Sequence, residues 1–512
     1  MERFLQQHQA QIIGTLSGFD RLLFCGTLPS LNNPNSLTRF LHIYHILFKD
    51  FGRFVQQRSE ELKAHAQALA QAHGRPYRYL RSPGVSKEAI AKEIAQADGI
   101  TAGLVCVLAA VETNASFRMQ GDWSKQRFPM VRAHRPSLHF YFYFLDRDFG
   151  LMHVRLQSWV PFTIQVCVNG REWLARQLAR EGIACEQRDN CFASIADLPR
   201  AQQLLDELNT RDWVPFLKAL AQRVNPLLDA RYGLDTRGYY WTIRQSEYAT
   251  DVMFRDAAAL RAIYPKLVSH AIQCLTCEDV LRFLGRCDNR NLGQVTSDVI
   301  KRVEGTRVKH RVEENSLKMY DKQACVLRVE TTINDPHRFR VYRELTRRGK
   351  KCLSWLPMRK GVVDCARRAQ VCRQANERYF EALAVVGLPQ PIAQTLDPVS
   401  RRLTKDGRPY RPLRPVTSEE AALFRIVLNG QFLLQGFRNR QVRALLEPGA
   451  EADPRRRRQA SGRVTRWLRL LRAHGLIRKV PTTRYYRVTA KGQQLMTLAL
   501  KLRETDLTQL AA

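Results

Sequence analysis

Polar and apolar positions alternate most regularly through Cys325–Ile333. Cys325, Leu327, Val329, Thr331 and Ile333 fall on one face, and Val326, Arg328, Glu330 and Thr332 on the other. That period of two predicts a half-buried strand. Leu317–Lys322 alternates as well, with Leu317, Met319 and Asp321 opposing Lys318, Tyr320 and Lys322. A tight loop near Gln323–Ala324 folds the two into a hairpin, and a three-residue loop sets Tyr320 beside Arg328 and Glu330. Upstream, Tyr239–Phe254 (YYWTIRQSEYATDVMF) reads as a strand from its aromatic and β-branched content. By parity Gln245, Glu247 and Asp251 share one of its faces, and Tyr248, Val252 and Phe254 the other.

The remaining pattern alternates strands with helices. Arg21–Leu28 and Gly103–Val111 read as strands, and Leu138–Leu145 and Leu151–Ser158 as a hairpin about Asp146–Gly150. Phe162–Val168 is a further strand. Helical patterns cover Leu37–Phe48, Phe51–His73, Ser86–Ala97 (with Ser86 as N-cap), Glu172–Glu181, Arg255–Ala271, Cys277–Gly285 and Gly361–Gly387. Such an order predicts an α+β fold of antiparallel sheets with flanking helices. Prolines crowd residues 388–417, where an extended basic linker is expected. The organisation read from these shifts is an N-terminal α+β domain over 1–230, a second α+β domain over 231–387, the 388–417 linker, and a C-terminal helical module over 418–512.

Composition changes the picture through charge. Eighty-two Lys and Arg against 48 Asp and Glu leave +34, with a pI near 10.2. A surplus of that size recruits polyanions, so nucleic acid is the expected partner, DNA first and RNA second. The longest apolar run, Gly103–Val111, is far short of the roughly 20 residues of a spanning helix. The N-terminal MERFLQQHQA lacks the apolar core of a secretory signal. A cytoplasmic, nucleoid-associated protein without a membrane partner is therefore expected. Cys274 and Cys277 form the one C-x-x-C among 12 cysteines; with no second pair at zinc-finger spacing, reduced thiols are expected instead of zinc. His139 and His153, on paired strands, read as satisfied sheet histidines before metal ligands.

The chemistry-bearing residues lie on the alternating strands. Acids two and four apart on a strand can converge on one divalent ion, which makes Glu247, Asp251 and Glu330 candidate ligands for Mg2+ or Mn2+. Tyr320, with Lys322 and Arg328 beside it, is the candidate nucleophile; Tyr239 and Tyr240 are weaker competitors. The order R-x-x-E-x-A-x-D-V (Arg244, Glu247, Asp251), then M-Y-D-K (Tyr320, Lys322), then L-R-V-E (Arg328, Glu330) resembles the replication initiators of rolling-circle plasmids and the related filamentous-phage nickases. The resemblance implies metal-assisted nicking of one DNA strand by a tyrosine, in replication initiation or transposition. Glu247 stands where that family usually carries Asp.

The C-terminal module reads helix (Glu419–Asn429), helix (Arg438–Leu446), helix (Arg463–His474), hairpin (Leu476–Val480 and Arg484–Val488), helix. Val464, Trp467, Leu468 and Leu471 form the apolar stripe of the third helix. Residues 462–495, GRVTRWLRLLRAHGLIRKVPTTRYYRVTAKGQQL, resemble the winged helix-turn-helix domains of MarR- and ArsR-like regulators. This implies a recognition helix in the major groove and a wing on the backbone or minor groove. From Arg401 to Ala512, 25 Lys and Arg stand against 8 Asp and Glu. Arg455, Arg456, Arg457 and Arg458 ahead of the helix, Arg463, Arg466, Arg469 and Arg472 on it, and Arg478, Lys479, Arg484 and Arg487 on the hairpin are the candidate DNA contacts. A non-enzymatic regulator and a binder of structured RNA remain the alternative functions.

Overall fold

The computed structural model describes residues 1–506 except 122–123, 125–127, 230–237, 286–294, 303–304, 348–349, 387–391, 406, 434–435, 452 and 482. It is a mixed α/β structure built on one large sheet. In chain order the strands are β1 (Ile12–Thr27), β2 (Tyr77–Leu80), β3 (Gly103–Met119), β4 (Met130–Asp146), β5 (Gly150–Gln157) and β6 (Ile164–Asn169). A small hairpin, β7 (Cys185–Arg188) and β8 (Cys191–Ile195), precedes β9 (Tyr240–Phe254), β10 (Val295–Arg302), β11 (Gly305–Val312), β12 (Asn315–Lys322) and β13 (Val326–Ile333). Eleven of these hydrogen-bond in the order β10-β11-β12-β13-β9-β1-β6-β5-β4-β3-β2. All pairs in that sheet are antiparallel except β2–β3.

The sheet runs straight through the boundary expected near residue 230. β9 pairs along its length with β1 on one side and β13 on the other. One apolar core extends from Phe4 to Ala384. The two expected α+β domains are therefore a single layered unit, because the strand after residue 239 closes the edge that β1 would otherwise expose. Strand β1 starts at Ile12, well before the Arg21 that the alternation predicts, and the helix expected at Leu37–Phe48 spans Pro34–Ile43.

Strand β13 is buried on both faces, not on one. Against its odd-numbered face lies the helix Cys365–Leu383, whose buried positions include Arg368, Cys372, Ala375, Asn376, Tyr379 and Leu383, the spacing of one helical stripe. Asn376 fastens it: its Oδ1 accepts from Thr331 Oγ1 (2.6 Å), and its Nδ2 donates to Tyr248 O (3.1 Å) and Thr250 Oγ1 (3.2 Å). Arg368, buried too, donates to Ser246 Oγ (3.3 Å) and Ile333 O (3.1 Å). Helix and sheet are thus pinned in register by polar groups that have no water to fall back on.

Two further hairpins stand apart from the large sheet: β14 (Arg340–Arg347) with β15 (Lys350–Pro357), and β16 (Leu403–Lys405) with β17 (Arg408–Tyr410). The expected linker is thus partly built; Pro389 and Pro391 lie outside the described residues. Helix Ile392–Leu396 precedes β16, and Val399 and Leu413 sit in a second core with Leu423, Phe424 and Trp467. Dense proline excludes a long helix, yet the apolar residues between the prolines find this core. The C-terminal unit continues with helices Ser418–Val427, Gly430–Leu433, Asn439–Leu446 and Pro454–Ala473, hairpin β18 (Ile477–Lys479) and β19 (Tyr486–Val488), and helix Ala490–Glu504. Among the described residues no helix is long and apolar enough to cross a membrane.

Asn376→Ala would take the acceptor from the buried Thr331 hydroxyl and one donor each from the Tyr248 carbonyl and from Thr250 Oγ1, which keeps its bond from Ser17 Oγ. It is expected to cost about 2 kcal/mol, read as a lower urea midpoint of the whole chain.

Candidate functional site: a carboxylate and tyrosine cleft

The site grows from the register of three strands. The β12–β13 turn holds Gln323 (φ +51°) and Ala324 (φ +57°) in the left-handed region, and Lys322 pairs with Val326 across it. That register sets Tyr320 opposite Arg328, and Lys318 opposite Glu330. On β9, Asp251 faces Arg328 and Glu247 faces Thr332. The even-numbered face of β13 therefore collects Arg328 and Glu330 with Tyr320, Lys318, Glu247 and Asp251, as the three-residue loop requires. A fourth acid arrives from β1. Its pairing with β9 shifts between Phe19 and Arg21, an irregularity that turns Asp20 out of the strand's alternation and onto this face.

The acids divide into two sets. Asp251, beneath the cleft, is consumed by guanidinium groups. Arg328 Nε and Nη2 donate to its two oxygens (2.6 and 2.9 Å), and Arg171 Nη2 lies 3.0 Å from Oδ2. Asp251 is therefore not in the ligand trio that sequence parity assigned it to; parity tells the face, not the partner. Oxygens of Asp20, Glu247 and Glu330 instead lie within 4.8 Å of one another. Asn190, on the β7–β8 hairpin, donates to Asp20 Oδ1 (2.7 Å) and accepts from Arg328 Nη2 on its carbonyl (2.7 Å). Arg328 Nη1 also reaches Asp20 Oδ1 at 3.1 Å. With every guanidinium nitrogen engaged and the side chain wholly buried, Arg328 is a tie between β13, β9, β1 and the hairpin, and not the free catalytic cation its place in the sequence implies.

Between Glu247 and Glu330 lies the Lys318 ammonium, 3.1 and 2.6 Å away. Tyr320 Oη donates to the other oxygen of Glu330 at 3.1 Å. Lys322 Nζ turns to the hairpin and pairs with Asp189 (3.2 Å). These groups line a cleft of about 520 Å³ whose rim adds Arg21, Lys92, Arg302 and Arg307.

Burial pushes the Asp251 carboxyl up, but Arg328 and Arg171 outweigh it and hold it below the ordinary aspartate value. Glu330 follows the same logic, with Lys318 overcoming burial. Glu247 moves the other way, raised by burial and by the charge of Glu330. Opposite shifts on adjacent carboxylates separate a group that stays ionised from one that can carry a proton. Burial opposes the Lys318 charge, yet Glu330 and Glu247 raise its pKa. Burial, Glu330 and Glu247 push the Tyr320 phenol well above its usual value. It stays neutral until a base and a cation act on it.

The other sequence candidates lie elsewhere. Tyr239 Oη donates to Phe162 O (2.7 Å) in the core, and Tyr240 is exposed. His139 is buried, with its ring nitrogens at Asn114 and Ser137 O, and the His153 ring lies tilted against Tyr141 and Tyr143; burial drives both down to about 4. Cys274 and Cys277 are exposed and are not joined in a disulfide. In the C-terminal unit Val464, Trp467, Leu468 and Leu471 are buried. Arg455, Arg456, Arg457 and Arg458 fall inside the first turns of the Pro454–Ala473 helix. They are exposed, as are Arg463, Arg466, Arg469, Arg472, Arg478, Lys479, Arg484 and Arg487; Arg463 also lies 3.4 Å from Glu447. Sequence reasoning missed Asp20, Arg171 and Asn190. The available signal for Asp20 was the one acid in a largely apolar run, LSGFDRLLF. No protein-family model, curated protein or solved structure matches this chain.

Asp251→Asn strands two buried guanidinium groups and is expected to cost about 3–5 kcal/mol. The native carboxyl titrates below its unfolded value, so its stabilisation is present above about pH 4 and lost as pH falls through the folded value. The gap in urea midpoint between wild type and Asp251→Asn should therefore be constant from pH 7 down to about pH 4 and narrow as the pH is taken lower.

Proposed function

We propose that this chain binds nucleic acid and breaks one DNA strand in the β9–β12–β13 cleft, with Tyr320 as nucleophile. The observation that carries the reading is the Tyr320 hydroxyl donating to Glu330 while Glu330 itself belongs to the Asp20–Glu247–Glu330 trio. A phenol of raised pKa attacks only if its proton has a receiver. Glu330, kept ionised by Lys318, is that receiver. Tyr320 Oη forms a bond to phosphorus as its proton passes to Glu330. The bond from phosphorus to the departing oxygen breaks, and that oxygen takes a proton from solvent. A phosphotyrosyl strand end and a free hydroxyl result, and the energy of the broken bond is retained for rejoining.

Asp20, Glu247 and Glu330 are the residues that would hold a divalent ion, and three carboxylate oxygens at this spacing suit Mg2+ or Mn2+. Such an ion supplies Lewis-acid polarisation of the phosphate. The chain's own cations at the rim draw the backbone in. The order of helices and hairpin over 418–504 and the exposed arginines on Pro454–Ala473 support reading the C-terminal unit as a winged helix that selects the site. A cytoplasmic, nucleoid-associated location follows from such a partner.

One observation favours a second reading. Lys318, Arg328, Arg171 and Arg21 already balance Asp20, Asp251, Glu247 and Glu330 one for one. On that basis the cleft is a structural ion network and the protein a DNA-binding regulator without catalysis.

Supercoiled plasmid incubated with the protein and Mg2+ or Mn2+ separates the two. Nicking predicts open-circular product and protein covalently attached to DNA, both abolished in Tyr320→Phe. Asp20→Asn is expected to slow cutting at least about 100-fold, the scale of removing one charge-stabilising group. Retained DNA binding with no cutting under either metal leaves only the regulator.

A further inference from the structure

A second cleft, of about 570 Å³, lies between hairpin β14–β15 of the body and hairpin β18–β19 of the C-terminal unit. Arg438, Arg484 and Arg487 line it together with Tyr342, Leu353 and Tyr485. All three guanidinium groups are on exposed residues, none is ion-paired to a described carboxylate, and no acid is among the described residues that line the cleft. That distribution is unlike the acid cleft, where the buried cations have their carboxylates. Three like charges converging without a counter-charge repel one another, and the arrangement is relieved by an anion.

Its geometry is built and not accidental. Backbone bonds Phe437 N to Tyr486 O (2.9 Å) and Tyr486 N to Phe437 O (2.8 Å) lay residues 436–438 along β19. Gly436, at φ +84°, permits that approach, since a Cβ there would collide with Tyr486 O. Arg438 is thereby brought over the Tyr485 ring, 4.0 Å from its centroid. Tyr485 Oη and Tyr342 Oη share one hydrogen bond at 3.0 Å across the two units. One hydroxyl gives its hydrogen to the other, so the second keeps a hydrogen to donate outward. The cleft therefore offers three guanidinium forks and a phenol donor, a set suited to phosphate oxygens. One wall belongs to each unit.

We propose that this cleft seats the phosphodiester backbone of the bound nucleic acid, so that the strand is gripped by the body and the C-terminal unit together. The inference rests on the nucleic-acid reading above and adds where the backbone is held: across the junction, and not on the Pro454–Ala473 helix alone. Seating there would fix the angle between the unit that selects a site and the unit that acts on it.

Leu353 is the test position. It lies on the body hairpin, is 59% exposed, and has no polar role, so Leu353→Glu places a carboxylate among the guanidinium groups without disturbing the core. Binding of a fluorescein-labelled DNA duplex to the full chain is followed by anisotropy over a NaCl series, for wild type, Leu353→Glu, Arg438→Gln and Arg466→Ala. Leu353→Glu and Arg438→Gln are each expected to weaken binding about 10-fold and to flatten the log–log salt slope by about 0.9 for each phosphate no longer neutralised. Weakening confined to Arg466→Ala, with the other two like wild type, overturns the cleft and leaves nucleic-acid binding standing. No binding by wild type removes both. An ATP site that vanishes in Arg438→Gln while DNA affinity is unchanged would identify a free-nucleotide pocket and also overturn the proposal.

Discussion

A single buried guanidinium organises the centre of this molecule. Arg328 lies where water cannot reach, so its charge must be met by fixed partners. It meets Asp251 through two donors, Asp20 through a third and the Asn190 carbonyl as well. Those partners come from β9, β1 and the β7–β8 hairpin, segments separated by up to 308 positions. The strand order β13-β9-β1 is thus braced on its polar face by ions, while Asn376 and Arg368 brace the opposite face from the Cys365–Leu383 helix. Such pairs add little net stability compared with a well-packed apolar core, but each is costly to break, so they enforce one register.

That brace decides what is left for chemistry. Because Asp251 is spent on Arg328 and Arg171, it is withdrawn from the cleft. Asp20, held by the same arginine, is aimed toward Glu247 and Glu330. Lys318 then bridges the two glutamates from within. The cleft's acids keep their own counter-charges, so the cleft does not announce its ligand by charge alone. The cleft at the junction of the two units differs in kind, with three guanidinium forks and no acid among its described lining residues. The two clefts therefore express the overall surplus of +34 differently: the buried cations of the first are paired with carboxylates, and the arginines of the second are not.

Much of this was written locally. The alternation of Leu317–Ile333 determined the two strands of the hairpin and, given a three-residue loop, the face shared by Tyr320, Arg328 and Glu330, because strand parity depends only on neighbours; the loop length itself was set by the fold. The stripe Val464, Trp467, Leu468, Leu471 determined which side of its helix is buried, and leaves the arginines between them exposed, for the same reason. Net charge, a sum over residues, needed no fold at all. What the tertiary structure alone decided is who meets whom. Strands β9–β13 complete the sheet begun by β1–β6, since pairing between strands far apart in the chain leaves no mark on either one's periodicity. Asp20 reaches the site through a register shift against β9, and Asp251 leaves it through a guanidinium on another strand. Both outcomes turn on distances of a few ångströms between segments far apart in the chain, and only the folded chain sets those distances.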